Sequence, residues 1–167
     1  MTLQLDIQRA SSETTPDDEQ LLNWIGAALS ACHQAAPAEG GDAGPEISLR
    51  LVDRTEMSAL NQQYRGKQGP TNVLSFPVDF PADLHIPLLG DIIICAPVVR
   101  DEARAQGKPL HAHWAHMAIH GTLHLLGYDH IEAEEAKAME ALETEILGTL
   151  GIPCPYLDAH NKEHARA

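Results

Sequence analysis

The sequence predicts an α+β fold of about four strands packed with helices, and three observations support this. Apolar and polar residues alternate over 3–7 and 47–51, the period of a strand with one buried face. Residues 92–95 form a continuous apolar run, which is typical of a strand covered on both faces. Other apolar residues recur at helical spacing. The predicted elements are strands at 3–7, 47–51, 73–77 and 90–95, and helices at 18–35, 53–64, 97–107, 110–126 and 132–149.

Local signals set the ends of the elements in the first half of the chain. The apolar period of the first helix stops before residues 36–45, a loop rich in proline, glycine and alanine. Asp53 to Glu56 has capping-box spacing and starts the second helix, which ends near Tyr64. Residues 65–72 are rich in turn formers and precede the third strand.

The second half begins with a break and ends in three helices. Prolines across 80–89 predict a loop or a strained edge before the apolar strand. Pro97 starts the next helix and Gly107 stops it. The helix at 110–126 is apolar nearly all round apart from its histidines, which predicts a central position. The last helix turns Ala136, Met139, Leu142 and Ile146 inward, and its acids are predicted to be solvated.

Length and composition favour one domain in a reducing compartment. Residues 1–155 are predicted as a single domain, followed by a polar tail at 156–167 for which disorder is one interpretation. The chain has no apolar run approaching the roughly 18 residues of a membrane helix and no N-terminal signal pattern. Three widely spaced cysteines without a Cys-x-x-Cys pair fit reduced thiols. We therefore expect a cytoplasmic protein without a membrane partner.

The net charge of −13 argues at first against a nucleic-acid partner. Its distribution weakens that objection, because seven of the eleven lysines and arginines lie between residues 50 and 108. Two of them, Arg65 and Lys67, stand in the turn-rich segment 65–72. Cations on a rigid loop are candidates for binding phosphate, although a solvated turn explains any single loop cation.

Three histidines near the end of the central helix have the spacing of a metal site. His120 and His124 lie four residues apart, so both imidazoles stand on one helix face and can bind one ion. Gly127 can end the helix and let the chain turn back to bring His130 to the same ion. Three protein ligands leave a fourth position for water or substrate, as in catalytic zinc sites. Three imidazoles suit zinc, but nickel, copper or iron would bind as well, because selectivity depends on geometry.

The neighbouring residues limit the choice of ligands and of chemistry. The spacing equals that of the metzincin protease motif, except that Gly121 replaces the glutamate that serves there as general base. His116 is a poorer third ligand, because it lies about 12 Å from His124 along the helix axis. His116 and His113 would line the approach to the metal or pack against neighbours. Asp129 would orient a ligand or hydrogen-bond the turn.

Three sequence blocks closely resemble the bacterial endoribonuclease and rRNA maturation factor family called YbeY. The blocks are YRGKQGPTNVLSFP from Tyr64 to Pro77, LGDIII from Leu89 to Ile94 and HGTLHLLGYDH from His120 to His130. The first block departs from the family at Gln68, where an aspartate is common.

The resemblance implies a small mixed sheet backed by helices and one zinc ion held by His120, His124 and His130. It implies cleavage of single-stranded RNA, maturation of 16S rRNA near its 3′ end and a part in ribosome quality control. Small-subunit ribosomal proteins and a ribosome-associated GTPase are the partners it implies. Arg65 matches an arginine regarded as functionally important in the family.

We therefore predict a zinc-dependent hydrolase that acts on a phosphodiester. The metal site, with Arg65 stabilising the charge that builds on phosphorus, would carry the catalysis. Lys67, Asn72 and Ser75 are assigned with Arg65 to substrate binding, and the general base is unassigned. Two alternatives stay open: a metalloprotease or amidohydrolase using the same three histidines, and a ribosome assembly factor that binds without catalysis.

Overall fold

A computed structural model describes residues 3–32, 44–78, 88–128 and 132–155. Four strands and five helices occur in these ranges, in the order in which the apolar periods predict them. They are β1 (Gln4–Ala10), α1 (Asp18–Ala31), β2 (Glu46–Val52), α2 (Arg54–Arg65), β3 (Val73–Pro77), β4 (Leu88–Cys95), α3 (Ala96–Gln106), α4 (Leu110–Leu125) and α5 (Ala133–Thr149).

The four strands form one mixed sheet in the order β1-β2-β4-β3. Strands β1, β2 and β4 run parallel to one another, and β3 runs antiparallel to β4 at one edge of the sheet. The sheet and the helices packed on it confirm the predicted α+β fold. In the described ranges, no helix is both long and apolar enough to cross a membrane.

The sheet is covered on both faces, as the apolar run in β4 predicted. Ile92 and Ile94 belong to the larger core, which α1, α4 and α5 also supply. Ile93 and Cys95 point the other way, into a smaller cluster that includes Met57 of α2. Helix α4 contacts α1, α3, α5, β3 and β4, which confirms its predicted central position. The histidine-bearing helix is therefore held by packing from several directions.

Two helix starts differ from the predicted pattern. Asp53 is the residue before α2, but its side chain makes no capping hydrogen bond. Its carboxylate instead accepts hydrogen bonds from Ser11 and Ser12, so it fastens the turn after β1. A complete capping box occurs at α1, between Asp17 and Gln20. The capping-box prediction at Asp53 was therefore wrong, because a tertiary contact took the carboxylate.

Several predicted features fall outside the described residues. They include most of the loops predicted at 36–45 and 80–89, as well as the tail at 156–167. Asp129 and His130 also lie there. Within the described part, β4 begins two residues earlier than predicted, and Arg65 is the last residue of α2 rather than part of the loop.

Candidate metal centre

Helix α4 lies very close to the edge of the sheet at Gly121. A Cβ atom added there would be 2.9 Å from Val73 Cγ2 and 3.0 Å from Ile92 Cγ2, shorter than normal contacts. The Ser75 hydroxyl donates a 2.7 Å hydrogen bond to the Gly121 carbonyl, which fastens α4 to β3. A glutamate at position 121 would need β3 or α4 to move. The structure thus gives a packing reason for the glycine that replaces the protease glutamate.

The Nε2 atoms of His120 and His124 face each other. Their Nε2 atoms are 3.1 Å apart, and both side chains are partly exposed. Two imidazole nitrogens at this distance either share a proton or present lone pairs to one cation. The predicted i, i+4 pair therefore converges in space. His130 lies outside the described residues, so its part in the site stays a prediction.

Behind His120, Glu143 of α5 links two histidines of α4. Its Oε1 is 2.5 Å from His120 Nδ1, and its Oε2 is 2.9 Å from His116 Nε2. Burial alone would raise the pKa of Glu143, but the hydrogen bonds from His116 and His120 outweigh it and hold the pKa at about 2. Burial lowers the pKa of His116 more strongly than its bond to Glu143 raises it. These directions keep Glu143 ionised near neutral pH and favour the neutral form of His116.

The sequence predicts solvated acids on the last helix, and Glu143 departs from that prediction. Its side chain is fully buried. The signal was available, since Met139, Glu143 and Ile146 have the i, i+4, i+7 spacing of the inward stripe of α5. An acid on a buried stripe needs a partner, because an unpaired buried carboxylate is costly.

A second buried histidine, His113, takes part in a separate network. Its Nε2 lies 2.9 Å from Glu102 Oε1, and the Asn72 amide donates to both oxygens of the same carboxylate at 3.2 and 3.3 Å. The Asn72 side-chain oxygen also accepts from the Val73 N–H. His113 and His116 are therefore both buried and hydrogen-bonded to carboxylates of neighbouring helices.

A cleft of about 740 Å³ opens between β3 and α5, with the histidines of α4 in its wall. It contains every described residue that the sequence analysis assigned to the site, although those residues come from four elements or loops. Arg65 and Lys67 are exposed, and neither pairs with a carboxylate in the described part of the chain. The predicted site residues in the lining are Arg65, Lys67, Asn72, Ser75, His120 and His124.

Two sets of atoms could hold a metal ion in this region. One is the pair of Nε2 atoms of His120 and His124. The other is His116, His120 and Glu143, which each offer an atom within 4.8 Å of the others. Nitrogen donors of this kind fit zinc and other transition metals, so the residues present are chemically suited to such an ion.

Comparisons with known proteins gave matches over most of the chain. The family model described as Endoribonuclease YbeY matches residues 6–151. Proteins named Endoribonuclease YbeY from Pseudomonas putida and Pseudomonas entomophila are 54% and 55% identical to this chain. The first alignment covers 95% of this chain and 96% of the relative, and the second covers 93% and 94%.

A solved structure is also similar. The solution structure of TM1509 from Thermotoga maritima matches with a TM-score of 0.52 at 26% identity, covering 86% of this chain and 91% of that one. The match of the family model over most of the chain and the identity to its curated members lead to one conclusion. This chain belongs to the Endoribonuclease YbeY family.

Proposed function

We propose that this protein is a metal-dependent endoribonuclease that cleaves single-stranded RNA in the cleft between β3 and α5. One observation carries the proposal: the converging imidazoles of His120 and His124 share a cleft with the exposed cations Arg65 and Lys67, for which the described ranges supply no carboxylate partner. Phosphodiester cleavage needs both a Lewis acid and positive charge near the phosphate. The names of the relatives support RNA as the substrate.

The metal site is proposed to consist of His120, His124 and His130, with zinc as the ion. Zinc would supply a Lewis acid and an activated water. Arg65 is proposed to bind the scissile phosphate, because a guanidinium can donate two parallel hydrogen bonds to phosphate oxygens. Lys67 adds a point charge in the same cleft. Residues 1–155 would act together as one hydrolase domain.

Preference for single strands is proposed to involve Tyr64, the residue before Arg65. Its side chain is 58% exposed, and its ring centroid is 4.9 Å from that of Phe76 in an edge-on contact. Phe76 thus limits the movement of the Tyr64 ring and leaves much of it open to solvent. Unpaired bases can stack on such a ring, whereas the bases inside a duplex cannot.

The proposed cellular role is maturation of 16S rRNA near its 3′ end and ribosome quality control in the cytoplasm. Small-subunit ribosomal proteins and a ribosome-associated GTPase are the proposed partners, following the family resemblance. The acidic balance of the chain, −13 overall, favours docking on basic ribosomal proteins over binding to long stretches of bare RNA.

The test is an RNA cleavage assay with zinc-loaded protein on matched single-stranded and duplex substrates, with casein as a peptide control. We expect cleavage of the single strand only. Arg65→Ala should lower kcat by about 10²–10³, the usual effect of losing one charge-stabilising donor. Arg104→Ala is the matched control, because Arg104 is an exposed arginine on α3 outside the cleft lining.

Two outcomes would favour the alternatives. Cleavage of casein without cleavage of RNA would indicate a metalloprotease on the same histidines. A folded His124→Ala variant that still supports rRNA maturation in cells would indicate an assembly factor whose metal is structural.

A further inference from the structure

We propose that Glu143 is a positioning residue for the metal site: it holds the ring of His120 from behind and is not itself a ligand. In this role its carboxylate accepts the Nδ1 proton of His120 and leaves the Nε2 lone pair facing His124 and the cleft. The inference rests on the proposed metal site and does not depend on RNA being the substrate.

The hydrogen-bond chemistry fixes which nitrogen of His120 carries the proton. A carboxylate can only accept, so the 2.5 Å contact between Glu143 Oε1 and His120 Nδ1 requires a proton on that nitrogen. A histidine that binds a metal is a neutral imidazole with one N–H, so a proton on Nδ1 leaves Nε2 unprotonated. Nε2 is also the atom that approaches His124, at 3.1 Å. Metal-binding histidines commonly use their second nitrogen in this way, to donate to a carboxylate.

The distances separate this role from direct metal binding by Glu143. Two nitrogens bound to one tetrahedral zinc, each at about 2.0–2.1 Å, lie about 3.3 Å apart. The Nε2 atoms of His120 and His124 come close to that spacing, at 3.1 Å. The contacts of Glu143 with His120 and His116, at 2.5 and 2.9 Å, have the lengths of hydrogen bonds. The Glu143 carboxylate therefore acts as a hydrogen-bond acceptor for His120 rather than as a metal ligand.

His116 gives the carboxylate its second anchor. Its Nε2 bonds to the other oxygen of Glu143, so the carboxylate is held at both ends and its plane is fixed relative to α4. Since Glu143 is fully buried on α5, this pair also ties α5 to the histidine-bearing helix. The orientation of the His120 ring thus depends on α5 packing correctly.

The first experiment measures zinc affinity of the metal-free protein by competition with a chromophoric chelator near pH 8. Glu143→Gln should weaken binding by about 10–100-fold, because an amide can accept from only one of the two imidazoles. Glu145→Gln, the same change at an exposed position of α5, should leave the affinity unchanged. His120→Ala and His124→Ala should each lose far more zinc affinity than Glu143→Gln does. Equal affinity of Glu143→Gln and wild type would overturn the proposal.

His124→Ala also distinguishes the two candidate ligand sets. If His116, His120 and Glu143 formed the chelate, His124→Ala would keep the ion and Glu143→Gln would lose it entirely. That pattern would overturn the positioning role.

The second experiment needs no variant, so it remains decisive if Glu143→Gln fails to fold. Nitrogen NMR of the imidazoles in the metal-free wild type should show the proton of His120 on Nδ1. A proton on Nε2 would refute the inference. Wild-type protein that binds no zinc while His120 shows the expected tautomer would count against the proposed function alone.

Discussion

Replacing Gly121 with alanine tests whether α4 packs against the sheet so closely that only glycine fits at this position. The new methyl group would lie 2.9 Å from Val73 Cγ2 and 3.0 Å from Ile92 Cγ2. Both neighbours are β-branched and stiff at χ1, so they cannot rotate away easily. Overpacking of this kind costs about 1–3 kcal/mol, and alanine recovers about 0.5–1 kcal/mol of helix propensity. We expect a net loss of stability of about 0.5–2 kcal/mol.

The matched control is Gly26→Ala in α1, where an added Cβ meets nothing within 4 Å. This variant should gain about 0.5–1 kcal/mol, because only the propensity changes. The difference between the unfolding free energies of the two variants cancels the gain in helix propensity. It leaves the cost of overpacking at Gly121, about 1–3 kcal/mol. The unfolding free energies of both variants are measured by urea unfolding, followed by the fluorescence of the buried Trp24 and Trp114. A Gly121→Ala protein as stable as Gly26→Ala would refute the packing argument.

Two further predictions concern the exposed ring of Tyr64, next to Arg65, and the hydrogen-bond network of Glu102. Tyr64→Ala should weaken single-stranded RNA binding by about 1–3 kcal/mol while Tyr64→Phe keeps it, measured by fluorescence anisotropy; unchanged binding by the alanine variant would exclude stacking. Glu102→Gln should destabilise the protein by about 1–2 kcal/mol near pH 7. Burial raises the pKa of Glu102, but bonds from His113 and Asn72 outweigh it and hold the pKa below the ordinary 4.5. The stabilisation is therefore full above pH 4.5 and lost as pH falls through the folded pKa, so urea midpoints of the two proteins should converge in acid. A difference between the two urea midpoints that persists in acid would contradict a stabilising role for the Glu102 carboxylate.

Periodicity predicted the secondary structure well because each period reports burial directly. The alternation in β1 and β2 and the apolar run in β4 predicted strands that the structure contains. The i, i+4 spacing of His120 and His124 likewise predicted their convergence, since the helix itself sets that geometry. The capping box at Asp53 failed, because spacing cannot show that Ser11 and Ser12 will take the carboxylate.

What the sequence determined by itself is local: the strands, the helices, the histidine pair and the motif blocks of the family. Only the tertiary structure decided which distant groups complete the site. It buried Glu143 against His116 and His120, and it brought Arg65 from the end of α2 into the same cleft as the histidines. Those contacts join residues that are far apart in the chain. They exist because α4 lies between the sheet and α5, a packing arrangement that no local spacing specifies.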